Sequence, residues 1–517
     1  MRGVISLKYQ FVKLFSAATL GVDGYLVNVE IDIQNGLPKF EISGLADSTI
    51  KEAKERVRSA IINSGYQFPL GRIVVNLAPA DLRKEGTHFD VAIAIGILIS
   101  SRQINIKDYK LIASLMITGE LALDGSVRPV RGVLSMTEAA RTNHFDKVIV
   151  PASNCQEAAL INNIDIIKID SLQALINYLE HPIDEAVILQ NNYLENIEYD
   201  VDFCEVIGQA HAKKGIIIAC AGAHHVLMVG PPGSGKSMLA KRALTILPML
   251  NDDEALEVRK IQSIAGYYLE NHQIDNRRPY RSPHHTTTIV GLIGGQSPPK
   301  PGEITLAHNG VLFLDELTEF SRKTLEVLRQ PLEDEQVSIV RGKYSVQFPC
   351  KFMLISALNP CPCGYFGSAT KQCICKESER KRYLNKISGP LRDRFDLQLE
   401  VREVGVDELQ LKAKDGKPIE SSDELKEKVI KARARQLDRQ GKLNSKLSSK
   451  ELELHLHLDD NASAFMKRTY MQMGLSMRGY HKVLKVARTI ADLEDKDCVN
   501  ANHIAETLSY RTVDKYY

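Results

Sequence analysis

Residues 224–244 read HHVLMVGPPGSGKSMLAKRAL, and this stretch decides the fold of the middle of the chain. An apolar run comes before the pattern Gly-x-x-x-x-Gly-Lys-Ser, and a helical pattern follows it. A strand, a glycine-rich loop and a helix in this order are typical of a phosphate-binding loop. Further strand-like and helical runs alternate up to about residue 400. The sequence therefore predicts an α/β fold with a mostly parallel sheet.

The loop predicts a site for ATP and Mg²⁺. Its glycines allow backbone angles and close approaches that a side chain would prevent. Backbone N–H groups would face the phosphates, Lys236 would neutralise the β- and γ-phosphates, and the Ser237 hydroxyl would hold Mg²⁺. The predicted nucleotide-binding residues of this loop are Gly230, Pro231, Pro232, Gly233, Ser234, Gly235, Lys236 and Ser237.

A second apolar run, GVLFLDEL, ends in Asp315 and Glu316. It is typical of a buried central strand whose carboxylates emerge at the carboxyl edge of the sheet. Asp315 is predicted to bind Mg²⁺ through water, and Glu316 to polarise the water that attacks the nucleotide. The alternative interpretation is the capped start of a helix.

These two motifs resemble those of the AAA+ ATPases, and the resemblance implies three further roles. Asn359, at the end of FMLISALN, would place the hydrolytic water. Arg394, in GPLRDRFDL, would reach into the site of a neighbouring subunit, with Arg392 as its rival. Arg478, in LSMRGYHKV, would be the second sensor on a helical lid. Either Arg394 or Arg478 could instead be a surface cation. An arginine that acts on a neighbour implies a ring, and the resemblance implies a hexamer.

Residues 337–352, VSIVRGKYSVQFPCKF, predict a hairpin of two strands whose turn carries Arg341 and Lys343. Together with the Gly- and Pro-rich stretch at 277–317, it resembles the pore loops of the magnesium-chelatase and MCM-helicase branch of the AAA+ class. In that branch the two cations could grip a phosphate backbone. An exposed turn with solvated charges is the alternative. We expect the adjacent His284 and His285 to be structural.

Four cysteines, Cys361, Cys363, Cys373 and Cys375, form two CxC pairs directly after Asn359. This spacing can close a tetrahedral Zn²⁺ site of structural type. A redox pair and unliganded thiols are the alternatives. The basic stretch that follows includes Lys381 and Arg382, which are either nucleic-acid contacts or the solvated face of a helix.

Residues 1–180 predict a separate α/β domain, which resembles the catalytic domain of Lon proteases in KEGTHFDVAIAIGIL and GELALDGSVRPVRGVLSMTEAA. In those proteases the two stretches carry a serine nucleophile and its activating lysine. The matching positions here are His88 and Leu134, and neither the nearby Arg131 nor Ser135 restores the pair. The resemblance therefore implies an inactive domain, kept for assembly or DNA binding. Residues 181–200 are predicted to be a linker, 201–400 the ATPase core and 401–517 a helical lid.

The whole pattern resembles the bacterial ComM/YifB family of magnesium chelatase-related ATPases. The resemblance implies a hexameric helicase that acts on single-stranded and branched DNA, with the recombinase machinery as a possible partner, and drives branch migration in natural transformation. A chelatase-like ATPase that remodels proteins is the main alternative. The net charge of +2, from 66 Lys and Arg against 64 Asp and Glu, excludes a global electrostatic footprint for nucleic acid. Without an apolar run of membrane-spanning length, we expect a cytoplasmic protein with no membrane contact.

Overall fold

The computed structural model of the chain describes residues 11–44, 47–82, 84, 86–182, 199–267, 276–342, 344–368, 370–404 and 420–511. Most of the predicted linker at 181–200 lies outside these ranges, and so does Lys343. Within them the chain forms an N-terminal α/β part, a central α/β part and a C-terminal helical part, as the sequence predicted. None of the described helices is long and apolar enough to cross a membrane.

The N-terminal part is built on one mixed sheet. Its strands are β1 (Phe11–Leu20), β2 (Asp23–Gln34), β3 (Lys39–Ser43), β4 (Arg72–Ala78), β5 (Leu115–Ile117), β6 (Glu120–Leu121), β7 (Val127–Arg128), β8 (Lys147–Pro151) and β9 (Asp165–Ile169). Its helices are α1 (Ser48–Asn63), α2 (Asp90–Ser100), α3 (Tyr109–Ala113), α4 (Val133–Thr142), α5 (Cys155–Ala158) and α6 (Leu172–Glu180). The sheet order is β3-β4-β2-β1-β5-β8-β9, and β6 pairs with β7 apart from it.

Helix α2 forms the centre of this part because all of its residues are buried. The one carboxylate of this helix belongs to Asp90, and its Oδ2 atom lies 2.7 Å from Arg56 Nε. This ion pair compensates the cost of burying the charge. Helix α1 is capped by Asp47, whose carboxylate accepts a hydrogen bond from the backbone N–H of Ile50.

The described residues of the central part form nine strands. They are β10 (Val226–Val229), β11 (Tyr280–Arg281), β12 (Gly294–Gly295), β13 (Lys300–Pro301), β14 (Gly310–Leu314), β15 (Gln336–Arg341), β16 (Tyr344–Pro349), β17 (Phe352–Leu358) and β18 (Leu397–Glu400). Its helices are α7 (Ala210–Gly222), α8 (Lys236–Arg242), α9 (Asp252–Ala265), α10 (Ile289–Ile293), α11 (Glu303–Leu306), α12 (Arg322–Glu326), α13 (Arg329–Asp334), α14 (Glu377–Leu384) and α15 (Gly389–Arg392).

Five of these strands form a parallel sheet in the order β11-β14-β17-β10-β18. Alternate residues of β10 point to opposite faces: Val226 and Met228 join one hydrophobic cluster, and Leu227 and Val229 join the other. Both faces are therefore covered, which explains why the strands read as continuous apolar runs. The predicted hairpin is confirmed, because β15 and β16 pair antiparallel with Arg341 opposite Tyr344.

The C-terminal part is mainly helical within residues 420–511, as predicted, with one short parallel bridge between Leu458 and Val499. Its helices are α16 (Ser422–Gln440), α17 (Ser449–His455), α18 (Asp460–Met473), α19 (Met477–Leu493) and α20 (Ala501–Ser509). Val429 of α16 and Ile490 of α19 belong to the same buried cluster as Val226 of β10. The helical part is thus packed against the edge of the central sheet rather than separate from it.

Candidate nucleotide site

The phosphate-binding loop connects β10 to α8 at the carboxyl edge of the parallel sheet. Gly235 adopts a left-handed φ of 93° at the start of α8, which a side chain would disfavour. Lys236 is 8% exposed and its Nζ donates to the backbone carbonyls of Gly230 and Pro231 at 2.7 and 2.8 Å. The loop is therefore folded around the lysine, with its ammonium group at the centre.

Two side chains that follow neighbouring strands converge on the loop. The Ser237 hydroxyl donates to Asp315 Oδ2 at 2.7 Å, and Lys236 Nζ donates to Asn359 Oδ1 at 3.3 Å. Asp315 follows β14 and Asn359 follows β17, and both strands run parallel to β10. Because the carboxyl ends of parallel strands share one edge, the topology brings these distant residues together.

Glu316 stands beside this group in an unusual backbone conformation. Its φ of 49° lies in the left-handed region, and its backbone N–H donates to Asp315 Oδ1 at 2.9 Å. Such a conformation costs about 1–3 kcal/mol for a residue with a side chain and is concentrated at functional sites. His285 Nδ1 lies 3.3 Å from Glu316 Oε2. This contact could not be predicted from the sequence, because no spacing rule links two residues that lie so far apart in the chain.

The predicted arginines lie in a second group. Arg394 forms an ion pair with Glu333 of the same chain, and burial together with Arg478 and Arg329 lowers its pKa. Arg478 and Arg392 line a cavity of about 460 Å³, together with Lys482 and Arg511. No residue of the phosphate-binding loop lines this cavity. Within one chain, the candidate arginines are thus gathered with each other rather than with Lys236.

The four cysteine thiols lie close together, with all of their sulfur atoms within 4.8 Å of one another. Cys361 Sγ is 3.4 Å from Cys363 Sγ and 3.6 Å from Cys373 Sγ. Zn–S bonds of about 2.3 Å in a tetrahedron would set the sulfurs about 3.8 Å apart, so the donor set fits Zn²⁺. The backbone N–H of Tyr365 lowers the pKa of Cys363 to about 6, whereas burial raises the pKa of Cys361 to about 12.

The cysteine loop also contacts the phosphate-binding loop. Gly364 has a left-handed φ of 85°, and a Cβ atom at this position would lie 2.8 Å from the ring of Pro232. Only a glycine permits so close an approach. The four-cysteine loop therefore packs directly against the nucleotide loop, which the sequence analysis did not predict.

The candidate DNA contacts are spread over two elements. Arg341 is exposed at the end of β15. Lys381 and Arg382 are exposed on α14, and Lys381 pairs with Glu377 at 2.8 Å on the same helix. This pair within α14 matches the interpretation of residues 376–386 as the solvated face of a helix. Lys343, the other candidate of the hairpin turn, lies outside the described residues.

Comparison with known proteins gives matches in each of the three parts of the chain. Three family models match: "Subunit ChlI of Mg-chelatase" over residues 29–154, "Magnesium chelatase, subunit ChlI" over 202–409, and "Magnesium chelatase, subunit ChlI C-terminal" over 419–511. The Competence protein ComM of Haemophilus influenzae is 41% identical, with 97% of each chain covered. The Uncharacterized protein YifB of Escherichia coli is 42% identical, with 96% of each chain covered.

The chain belongs to the ComM/YifB family. A more distant relative is the Holliday junction branch migration complex subunit RuvB of Thermosipho melanesiensis, 27% identical over 40% of this chain and 51% of its own. The ComM/YifB family is related to magnesium chelatase and carries an AAA+ ATPase core, so the chain is an AAA+ ATPase that uses ATP and Mg²⁺.

The residues around the phosphate-binding loop of this ComM/YifB protein fit ATP and Mg²⁺. The Ser234 hydroxyl is buried and has no hydrogen-bond partner among the described residues, which leaves it available to a bound group. The Ser237 hydroxyl lies 2.7 Å from Asp315 Oδ2, and both are hard oxygen groups of the kind that Mg²⁺ and its bound water prefer. Burial lowers the pKa of Lys236 to about 8, against the opposing effects of Asp315 and Glu316.

The pKa of Lys236 predicts how nucleotide affinity depends on pH. Below a pKa of about 8 the ammonium is charged and attracts phosphate, and above it the group becomes neutral. We expect the affinity for ATP to fall above about pH 8, by up to about tenfold per pH unit. Titration with a fluorescent ATP analogue from about pH 7 to about pH 9 would measure this. The matched control is Lys236→Arg, whose guanidinium stays charged and whose binding should not follow this titration. An affinity of the unchanged protein that is flat across this range would contradict the prediction.

Proposed function

We propose that the chain is a ring-forming, ATP-driven DNA translocase that promotes branch migration when incoming DNA is integrated during natural transformation in the cytoplasm. The motor part of this proposal rests on the convergence of Lys236, Ser237, Asp315 and Asn359 at one sheet edge. The DNA part is supported by the similarity to Competence protein ComM and, at greater distance, to a branch migration subunit.

The proposed chemistry assigns one task to each residue. Lys236 binds the β- and γ-phosphates, and Ser237 and Asp315 hold Mg²⁺, which supplies electrostatic stabilisation of the phosphate charge when bound. Glu316 accepts a hydrogen bond from the attacking water and draws off its proton, and Asn359 orients that water. His285, at 3.3 Å from the Glu316 carboxylate, keeps this carboxylate aimed at the site.

The arginine group supports a site shared between subunits. Arg392 and Arg478 line one open cavity, and Arg394 is tied to Glu333 beside them. Cations gathered away from their own phosphate loop can serve the loop of an adjacent subunit, where an arginine stabilises the charge of the transition state. We propose a homo-hexamer in which Arg394 or Arg392, together with Arg478, completes the neighbouring site.

The hairpin β15–β16 is the proposed grip on DNA. Arg341 is exposed at its turn, and cations at this position would contact phosphates of single-stranded or branched DNA without reading the sequence. Lys343 is proposed to act with it, and Lys381 and Arg382 as secondary contacts. The recombinase machinery would be a partner of this activity. The four cysteines are proposed to hold a structural Zn²⁺ beside the nucleotide loop.

The decisive experiment measures ATP turnover and strand displacement on forked and four-way DNA. We expect DNA to stimulate ATP turnover, and Arg341→Ala with Lys343→Ala to remove that stimulation while basal turnover is kept. Lys323→Ala, a lysine on α12 outside the hairpin, is the matched control. If no DNA substrate stimulates turnover or is unwound, the translocase proposal fails.

A chelatase-like ATPase that remodels a protein partner is the second candidate. It is favoured by the three family models, all of which carry the name of a magnesium chelatase subunit. In that case the hairpin would contact polypeptide, and ATP turnover would respond to a protein and not to DNA.

A further inference from the structure

A cavity of about 360 Å³ lies where the N-terminal part meets the insertions of the central part. One wall comes from Tyr25, His88 and Arg131 of the N-terminal part. The other comes from Pro298 and Lys300 of the β12–β13 hairpin and from Tyr344, the first residue of β16. The volume lies in the range of small-molecule sites, and the cavity belongs to neither part alone.

Beside the cavity, the N-terminal part is held to helix α9 of the central part, whose Ile264 also lines the cavity. The backbone N–H of Gly132 donates to the carbonyl of Ser263, and the Ser263 hydroxyl donates to the buried Glu157 carboxylate. Lys260 of α9 also pairs with Glu138 of α4 at 2.5 Å. A cavity between surfaces fixed in this way keeps its shape and is not a gap between loose neighbours.

His88 lines this cavity and carries a buried polar atom without a partner. Its side chain is 8% exposed, and its Nε2 atom has no hydrogen-bond partner within the part of the chain that the structure describes. Its ring packs against Phe89 at 4.2 Å between centroids, and its carbonyl accepts from the Gly119 N–H at 3.0 Å. Burial lowers the pKa of His88 to about 4, so the neutral imidazole offers one hydrogen bond at Nε2. Buried polar groups in proteins normally have a partner, and the cavity is the open space beside His88.

The charges that line the cavity favour an anion. Arg131 and Lys300 both line it, and neither forms an ion pair with a carboxylate among the described residues. The one acidic residue of the lining, Glu120, is already engaged, because it accepts from the Thr87 hydroxyl and lies 3.8 Å from Arg128. The two cations are thus available to a ligand, and charged groups bind phosphate or carboxylate more strongly than neutral ones do.

We propose that this cavity binds a nucleotide unit at a site distinct from the phosphate-binding loop. The phosphate would lie between Arg131 and Lys300, and a polar atom of the base would bond with His88 Nε2. The rest of the base would pack on the tyrosine and proline side chains of the walls. Two sources share this chemistry, a free mononucleotide and a nucleotide of a DNA strand.

Such a ligand would join the N-terminal part to the hairpin β15–β16, since it touches His88 on one side and Tyr344 on the other. Val22 of the β1–β2 turn already packs in the same hydrophobic cluster as Val346 of β16. A ligand bound in the cavity would therefore restrain the hairpin β15–β16 at the end that packs on the N-terminal part. This inference does not require that the hairpin act on DNA, because binding to the cavity is measured apart from any motor activity.

The test uses the full chain with Lys236→Ala, which weakens binding at the phosphate loop. The probes are dAMP and a five-residue single-stranded deoxyadenosine oligonucleotide, titrated by calorimetry. We expect one of them to bind saturably and Arg131→Glu to weaken that binding by about tenfold or more. Lys300→Glu should act in the same way, and His88→Gln should weaken binding less because it keeps a hydrogen-bonding group. Lys431→Glu, on an exposed face of α16, is the matched control.

The outcomes separate the two sources. Binding of dAMP alone identifies a free nucleotide as the ligand, and binding of the oligonucleotide alone identifies a strand. Because Arg131 is exposed, its substitution leaves the buried core unchanged and the chain should stay folded. The proposal is overturned if neither probe binds saturably, or if Arg131→Glu and Lys300→Glu bind both probes as the control does. A failure of strand displacement by the unchanged chain would count against the translocase and not against this site.

Discussion

Replacing Glu316 with glutamine is expected to lower ATP turnover by about 100-fold or more while nucleotide binding is kept. The amide has the shape of the carboxylate but cannot take up a proton from water. The residues that we propose to contact phosphate and Mg²⁺ are different ones, namely Lys236, whose Nζ donates to the Gly230 and Pro231 carbonyls, and Ser237, which donates to Asp315. The Glu316→Gln variant should therefore lose ATP turnover while its affinity for ATP stays unchanged.

The matched control for this prediction is Glu319→Gln, which changes an exposed glutamate three residues further along the same loop. Steady-state phosphate release gives the turnover, and equilibrium titration with a fluorescent analogue gives the affinity. A Glu316→Gln variant that turns over like its Glu319→Gln control would show that another group activates the water. An equal loss of affinity would show that Glu316 binds the nucleotide instead.

The contacts of Glu316 also show where reasoning from sequence stops. The strand that ends in Asp315 and Glu316 was predictable, because a run of apolar residues before two carboxylates has few other interpretations. The approach of His285 was not, because it depends on how the segment between β11 and α10 folds back over the sheet edge. The two-residue strand β11 was missed for a related reason: two residues are too few to show a period.

The arginines show the same limit: their motifs could be found in the sequence, but their position next to each other could not. Arg394 and Arg478 could be singled out from their motifs, and their grouping with Arg392 could not, since it requires the helical part to pack on the edge of the central sheet. The ion pair of Arg394 with Glu333 likewise joins α13 to the segment after α15. Local patterns fix which elements form, whereas contacts between elements depend on packing that no short window of sequence contains.

The cysteine loop leads to the second large expected effect. We expect about one Zn²⁺ per chain in the purified protein and none in a variant with Cys361→Ser and Cys373→Ser, since two of four thiolates are removed. This variant should also bind ATP more weakly. The reason is the contact between Gly364 and Pro232, through which the cysteine loop supports one side of the phosphate-binding loop. A metal would add a cross-link to the hydrogen bonds that Ser368 and Thr370 already donate to Glu403, so its loss should loosen the loop without releasing it.

Cys498→Ser is the matched control, because it removes an exposed thiol outside the cluster. Metal content is measured by elemental analysis, and ATP affinity by titration of the same samples. Zinc that is unchanged in the double variant would contradict the metal site itself. Loss of zinc with unchanged ATP affinity would instead keep the metal site and show that Pro232 holds its position without support from Gly364. The two readouts therefore test the ligand set and its coupling to the nucleotide loop separately. A third variant, Gly364→Ala, keeps all four thiols but adds a Cβ atom that would press on the Pro232 ring. Its zinc content is measured alongside its ATP affinity, because the left-handed φ of Gly364 also strains an alanine in the cysteine loop.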